Sequence, residues 1–289
     1  MIQVRKASKQ QTKVKLGLAG PPGSGKTYTS LKLAFTMASD PSKILLLDTE
    51  HGSAEKYSDI FPGWDTVQPT RFDPLEAIEI IEYAAKNGYE VLIIDSLSHY
   101  WAGSGGALDK VGGNSSNWKH VTPQWERLQD TIVGSPIHII ATMRAKMAYS
   151  FEKNEKGKVE PQRIGIQPVI RDDAEYVFDV YGLLDTNNTL NIVKSRAPKY
   201  APVNSCWPQP GEEFAKRLLE WAGEGAAPER FVMPQQVRAK FEALAEKVGE
   251  EAFMAQLREL GYGSLPEIPS MDAARDIYTR MVAAFKGGK

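Results

Sequence analysis

A glycine-rich run near the start of the chain ends in a lysine and a threonine. The run reads Gly20-Pro21-Pro22-Gly23-Ser24-Gly25-Lys26-Thr27. It satisfies the pattern of a phosphate-binding loop in full, in which backbone N–H groups surround the phosphates, the lysine neutralises their oxygens and the threonine ligates Mg²⁺. The alternative is a chance glycine-rich turn. An apolar run before it and a helical segment after it favour nucleotide binding instead.

Two acidic residues follow apolar runs further along the chain. Asp95 ends the run Val91–Ile94, and a carboxylate at that place can hold the water shell of Mg²⁺; a strand-end aspartate that caps a loop is the alternative. Glu50 lies in Asp48-Thr49-Glu50-His51, where it could orient or deprotonate an attacking water. By position alone, a solvated loop acid explains Glu50 equally well.

Short apolar runs alternate with helical segments over most of the chain. The runs that predict buried strands are Val14–Ala19, Lys43–Leu47, Val91–Ile94 and Ile137–Thr142. Asp73-Pro74-Leu75-Glu76 predicts a helix start with a capping box, and Thr122-Pro123 predicts another. Strands that alternate with helices favour an α/β fold with a mainly parallel sheet and helices on both faces.

Two long segments interrupt this alternation and are predicted to be loops. They are His99–Asn117, rich in Gly, Ser and Asn, and Ala145–Asp172, which is charged and weakly periodic. Loops of that length in a compact domain are usually functional. Later, Asp185-Thr186-Asn187-Asn188 predicts the turn of a hairpin.

The composition shifts predict four parts of the chain. These are a basic N-terminal tail (1–13), an ATPase core (14–223), a Gly/Ala/Pro linker (224–230) and a small helical C-terminal module (231–289). We expect the tail to be solvated, with DNA binding as the alternative.

Composition excludes several classes of protein. The 289 residues carry 36 acidic and 35 basic side chains, a net charge of −1, so this is not a globally basic DNA-coating protein. A single cysteine, Cys206, permits no internal disulfide and fits a reducing cytoplasm, our expected location. No apolar run approaches the roughly 18 residues of a membrane span, and no secretory signal is expected.

The segment 144–171 carries seven cations and three carboxylates, a local net charge of +4. Cations interleaved with aromatic rings suit single-stranded nucleic acid, because phosphates pair with charge and bases stack on rings. A flexible charged loop is the alternative. The candidate nucleic-acid contacts are Lys146, Tyr149, Lys153, Lys156, Lys158 and Arg163. Tyr100-Trp101 and the loop to Asn117 form a second candidate, with simple packing as its alternative.

The order of these motifs resembles the RecA-type recombinase core over about residues 14–200. The resemblance implies that Glu50 is the catalytic base, that Thr142 and Arg144 form a γ-phosphate sensor, and that Lys194 and Arg196 reach the γ-phosphate of a neighbouring subunit. More narrowly, Asp95-Ser96-Leu97-Ser98-His99 and Lys194-Ser195-Arg196 look like phage-encoded, core-only RecA-like ATPases implicated in single-strand annealing. The short N-terminal segment and Thr142, where bacterial RecA has glutamine, depart from full recombinases.

The spacing of Lys194 and Arg196 supports a joint role for the two cations without the resemblance. Lys194 and Arg196 alternate with Val193 and Ser195, so both project to one face of a strand. Two cations on one side can stabilise charge on a transferring phosphoryl group, and an ordinary solvated strand face is the alternative. If the first reading holds, the active site is shared between subunits and activity requires a homo-oligomer.

These observations lead to one main hypothesis and two alternatives. The main hypothesis is an ATPase that uses ATP and Mg²⁺ and acts on single-stranded DNA in phage-type recombination or strand annealing. We find no guanine-reading motif, which favours ATP over GTP. The alternatives are an ATP-gated binding switch with negligible hydrolysis and a component of a motor or helicase. A single-strand-binding or other replication protein is a further candidate partner, and no membrane is expected.

Overall fold

The computed structural model describes residues 6–153, 159–227, 231–268 and 271–287, with backbone alone for 147–153, 159–164, 272, 286 and 287. The chain divides after Ala226 into two compact units. The strands of the first unit are β1 Lys15–Gly20, β2 Ile44–Asp48, β3 Asp65–Val67, β4 Val91–Asp95, β5 His138–Lys153, β6 Val159–Pro168, β7 Val180–Leu184, β8 Thr189–Ser195 and β9 Cys206–Pro208. Its helices are α1 Lys26–Met37, α2 Pro74–Lys86, α3 Leu97–Ala102, α4 Ala107–Val111, α5 Trp118–Gly134 and α6 Glu212–Gly223.

The strands form one sheet in the order β3-β2-β4-β5-β1-β7-β8-β9, with β6 paired to β5. The first six strands in this order, β3, β2, β4, β5, β1 and β7, pair parallel to one another. Strand β8 pairs antiparallel with β7, and β9 pairs antiparallel with β8. Helices α1 and α6 pack on one face of the sheet, and α2 and α5 pack on the other. The predicted α/β fold is therefore confirmed. Since β1, β2, β4 and β5 are parallel, their carboxyl ends meet at one edge of the sheet. The glycine-rich loop, Glu50 and Asp95 lie at that edge, at or just after the ends of β1, β2 and β4.

The start of α2 was predicted only in part. Asp73 accepts a hydrogen bond from the Leu75 amide at 2.9 Å, and Pro74 opens the helix. The capping-box prediction for Glu76 was wrong. Its carboxylate accepts hydrogen bonds from the Thr70 and Arg71 amides, because the preceding loop folds back over the first turn.

The segment 99–117 is not a continuous loop. It contains most of α3, all of α4 and a short 3₁₀ turn before α5. Helix α5 begins at Trp118, not at the predicted Thr122-Pro123, and it accommodates Pro123 internally. The indole of Trp101 packs against Trp118 and Trp125 with ring centroids 5.8 and 5.0 Å apart. These contacts draw the extra turn onto the core and favour packing, rather than DNA contact, for the aromatic residues here.

The predicted loop at Ala145–Asp172 was also wrong. Strand β5 continues through the sheet to Lys153 and pairs antiparallel with β6, so this segment is mainly a long hairpin. Frequent charged residues hid the strand, although Met147, Tyr149 and Phe151 alternate with Lys146, Ala148 and Ser150 in the period of a strand. A backbone ladder satisfies the amide and carbonyl groups of the two strands.

The basic N-terminal segment is attached to the core where the structure describes it. The backbone of Gln11 donates to the Ala226 carbonyl, and that of Thr12 donates to the Ala222 carbonyl, each at 2.9 Å. The Lys9 ammonium pairs with Glu224. The backbone of residues 9–12 is therefore held against the end of α6. Residues 6–9 and 11–13 are nevertheless exposed, so the described part of the tail is solvated but ordered.

The second unit contains α7 Gln235–Val248, α8 Glu250–Glu259 and α9 Met271–Gly287. Phe241, Phe253, Leu257 and Met281 are buried in a core of its own. In the described parts of both units, no helix has the length and apolar character needed to cross a membrane.

Candidate nucleotide-binding site

The glycine-rich run lies between β1 and α1 and lines a cavity of about 690 Å³. Gly25 has a φ of 83°, a left-handed conformation that turns the loop into the first turn of α1. The Lys26 ammonium donates to the Gly20 carbonyl at 2.9 Å and the Pro21 carbonyl at 3.0 Å. Burial lowers the pKa of Lys26. A loop of backbone amides around a lysine at a helix N-terminus suits the phosphates of a nucleotide.

The hairpin turn between β7 and β8 supports this loop from outside. The Asn188 amide donates to the Ser24 carbonyl at 2.9 Å and to the Thr29 hydroxyl at 3.0 Å. A Cβ built on Gly25 would lie 2.5 Å from the same amide nitrogen. Sequence analysis identified the turn but missed its role, because 164 residues separate Asn188 from Ser24 and no local pattern reports that contact.

Asp95 lies at the centre of a hydrogen-bonded group on three elements. It is 2% exposed, and its two carboxylate oxygens accept from Thr27 and Thr142, each at 2.5 Å. Burial raises the pKa of Asp95. The Thr27 hydroxyl and the Asp95 carboxylate supply adjacent oxygens, which are the ligands that Mg²⁺ takes together with water and phosphate oxygens. Among the described residues, no group of three or more His, Cys, Asp or Glu side chains could hold a metal ion.

Glu50 faces the same cavity and is paired with Arg144. Strand register places Gly20 beside Arg144 and Asp48 beside Asp95, which brings the ends of four strands together. The guanidinium binds both carboxylate oxygens, through Nε at 2.8 Å and Nη2 at 2.6 Å. Burial would raise the pKa of Glu50, but the hydrogen bond and charge of Arg144 outweigh it and lower that pKa.

The predicted cation pair, Lys194 and Arg196, lies away from the nucleotide cavity of its own chain. Lys194 is level with Gly17, and the Arg196 amide bonds to the carbonyl of Asp179, which is itself paired with Lys15. Arg196 thus lies at the amino edge of the parallel strands, where about 16 Å of β1 separates Lys15 from Gly20, and Lys194 lies at a level about 10 Å from Gly20. The pair therefore does not line the nucleotide cavity of the same chain.

Both cations contact the segment before β7. The Lys194 ammonium donates to the carbonyls of Glu175 and Phe178, and burial lowers the pKa of Lys194. The exposed Arg196 guanidinium pairs with Asp179 at 3.3 Å and bonds to the Tyr176 carbonyl at 3.2 Å. Both side chains reach the same segment, although Arg196 lies one residue beyond the end of β8.

The candidate nucleic-acid residues are distributed along the β5–β6 hairpin. Lys146 is exposed and lines the far end of the nucleotide cavity. Tyr149 and Lys153 lie on β5, and Arg163 lies on β6 directly opposite Tyr149. Lys156 and Lys158 lie outside the described residues.

Comparison with known proteins agrees with this geometry. No curated protein matches the chain at a significant level. Residues 12–204, about two thirds of the chain, match the family described as AAA domain. That range contains the glycine-rich loop, Glu50, Asp95, Thr142 and Arg144. The chain therefore belongs to the AAA domain family, and its core is that of a P-loop ATPase.

Proposed function

We propose that the protein is a Mg²⁺-dependent ATPase that acts on single-stranded DNA in recombination or strand annealing. Lys26 and the amides of residues 20–27 would hold the phosphates, while Thr27 and Asp95 would hold Mg²⁺. The bound cation neutralises charge on the phosphate oxygens. Glu50 would orient or deprotonate the attacking water, and Thr142 and Arg144 would sense the γ-phosphate.

The observation that carries the DNA part of this proposal is the continuity of β5. Thr142 contacts Asp95 in the nucleotide site, Arg144 holds Glu50, and Lys146 lies two residues further along the same strand. At about 3.3 Å per residue, only about 7 Å of strand separates Arg144 from Lys146. A shift of Arg144 toward bound phosphate would therefore act directly on the base of the basic hairpin.

We further propose a homo-oligomer in which Lys194 and Arg196 act on the nucleotide of a neighbouring subunit. Two observations support this. The pair lies toward the amino edge of the sheet, away from the nucleotide cavity of its own chain, and the Arg196 side chain is 52% exposed. A cation that assists phosphoryl transfer from another subunit must be reachable from outside in this way.

Steady-state ATP hydrolysis with and without single-stranded DNA tests the main proposal. We expect Mg²⁺-dependent hydrolysis that DNA stimulates, and loss of both in Lys26→Ala. Lys146→Ala should reduce the stimulation and leave the DNA-free rate close to wild type. The matched control is Lys216→Ala, which removes an exposed lysine paired with Glu212 on α6. An ATP hydrolysis rate that DNA does not change, together with no DNA binding at low salt, would contradict the DNA part of the proposal.

A second candidate function is an ATP-gated switch with negligible hydrolysis. The observation in its favour is that Arg144 occupies both carboxylate oxygens of Glu50, which leaves the base unavailable while the pair persists. Glu50→Gln separates the two candidates. Loss of DNA pairing activity in that variant supports action driven by hydrolysis, and retention with normal ATP binding supports the switch.

A further inference from the structure

His99 is fixed on two sides in the wall of the nucleotide cavity. Its ring stacks on Phe72 with centroids 4.8 Å apart and planes 16° from parallel. Its Nδ1 lies 2.5 Å from the Thr49 hydroxyl oxygen. The side chain is 13% exposed and lines the same cavity as Lys26 and Glu50. Nothing in the proposed hydrolysis mechanism uses it so far.

The contacts of the Thr49 hydroxyl bear on which nitrogen of His99 carries a proton. The hydroxyl oxygen accepts a hydrogen bond from the Ser96 amide at 2.7 Å. Its one proton has a backbone acceptor, the Asp95 carbonyl at 3.0 Å. With that proton on the Asp95 carbonyl, His99 donates to the Thr49 oxygen in the short contact, and we therefore adopt the neutral tautomer with the proton on Nδ1.

The same N–H group is close to Glu50. His99 Nδ1 lies 4.0 Å from Glu50 Oε1, about 1 Å beyond hydrogen-bond distance. Ser96 Oγ is 3.4 Å from that oxygen, and Arg144 holds the carboxylate from the other side. Burial and Arg144 both lower the pKa of His99, and Glu50 opposes them. The imidazole is thus neutral at pH 7 next to a carboxylate that already has a partner.

Departure of Arg144 changes this balance. If the guanidinium turns to a γ-phosphate, Glu50 loses two charge-assisted hydrogen bonds. The groups still facing Glu50 and His99 would be Lys26 on α1, Asp95 at the end of β4, and Asp48 and His51 beside Glu50. Of the side chains in contact with the Glu50 carboxylate, those that remain are His99 and Ser96.

We propose that His99 is a positioning residue that takes over Glu50 when Arg144 leaves, so that the carboxylate stays aimed at the attacking water. This inference rests on the proposed function, because it assigns Glu50 the role of base. A carboxylate held only by the long contact to the Ser96 hydroxyl would rotate more freely, and misplacement of a base by about 1 Å can cost roughly a hundredfold in rate.

The test compares His99→Phe with His99→Asn. Phenylalanine keeps the stack on Phe72 but has no N–H group, whereas the asparagine amide nitrogen takes a place similar to that of Nδ1. We expect kcat for ATP to fall roughly ten- to hundredfold in H99F, with KM nearly unchanged, and to recover most of that loss in H99N. His51→Asn is the matched control, since it removes an exposed imidazole next to Glu50, and its kcat should stay within twofold of wild type.

The pH profile distinguishes positioning from a merely structural role. Removal of the N–H donor raises the pKa of Glu50 in the working state, so the acid limb of the kcat profile should move to higher pH in H99F and not in H99N. A wild-type kcat in H99F, or a reduced kcat with an unshifted acid limb, overturns the proposal. If H99F does not fold, His99→Met gives the same test. A Glu50→Gln variant that hydrolyses ATP normally would instead refute the proposed function itself.

Discussion

At the scale of single residues, the contact between Glu50 and Arg144 joins two parts of the chain that are 94 residues apart. A bidentate guanidinium–carboxylate pair is among the stronger polar contacts in proteins. Here it holds the expected base beside the expected phosphate sensor. A ligand that draws Arg144 away must therefore compensate for two hydrogen bonds, and phosphate oxygens are acceptors of the right kind.

Asn188 leads to a prediction about nucleotide affinity. Asn188→Gly keeps the left-handed backbone, whose φ is 57°, and removes the amide that holds the Ser24 carbonyl and the Thr29 hydroxyl. Each lost hydrogen bond costs about 1 kcal/mol. We expect the Kd of a fluorescent ATP analogue to rise between about fivefold, if one hydrogen bond matters, and thirtyfold, if both do, measured by anisotropy titration.

The control for this prediction lies in the same turn. Asn187 is exposed, and its backbone amide, not its side chain, bonds to Asp185. Asn187→Gly should therefore leave the Kd within twofold of wild type. Equal affinities in both variants and the wild type would show that the phosphate loop keeps its shape without the hairpin turn.

The residues of the candidate site that sequence analysis identified are those with a local signal. The glycine-rich loop carries its own pattern, and Asp95 and Glu50 follow apolar runs at the ends of parallel strands. The pairing of Glu50 with Arg144, the Asn188 support and the His99 contacts depend on which strands are neighbours. That order is a property of the folded sheet and has no signature in spacing.

At the scale of elements, the same limit explains which strands were predicted. The strands β1, β2 and β4 are buried throughout and apolar except for Lys15, Asp48 and Asp95 at their ends, so composition identifies them. The outer half of β5 and its partner β6 mix charged, polar and apolar residues, and β3 and β9 have three residues each. Such strands exist because a neighbouring strand offers a ladder of hydrogen bonds, which the chain's local sequence does not report.

The start of β5 leads to a prediction about pH. His138 is 6% exposed, and its Nδ1 accepts a hydrogen bond from the Val14 amide at 3.1 Å. Burial, aided by Lys13 and Lys15 and opposed by Glu90, lowers the pKa of His138 to about 3 from 6.5. The unfolded chain therefore binds more protons than the folded one between these values. The stability contribution is present above pH 6.5 and is lost as the pH falls toward 3.

Urea unfolding of wild type and His138→Asn checks this expectation. Between pH 7 and pH 5, titration of His138 should lower the free energy of unfolding of the wild type by about 2 kcal/mol. Asparagine offers an acceptor to the Val14 amide but does not titrate, so the variant should lose less over the same interval. Parallel curves for the two proteins would contradict the lowered pKa.

At the scale of the whole molecule, the two units have separate cores. The first contains the sheet and its helices, and the second buries its own side chains around Phe241 and Leu257. We expect scanning calorimetry to show two transitions. ATP with Mg²⁺ at a hundred times its Kd should raise only the transition of the first unit, by about 5–10 °C.

A comparison of separate fragments provides the control. A fragment ending at Ala226 should reproduce the transition that responds to nucleotide, and a fragment starting at Ala227 should reproduce the other. A single transition in the full chain that shifts as a whole with ATP would show that the two units unfold together.

The attachment of residues 9–12 to the end of α6 has a consequence for chain connectivity. Gln10 and Ala226 form a parallel bridge, so the points where the backbone enters and leaves the sheet unit are adjacent. A few residues suffice to join them, and new ends can be opened at the exposed Gly112-Gly113 turn. The sheet unit is thus suited to circular permutation, and to insertion as one piece into a surface loop of another protein.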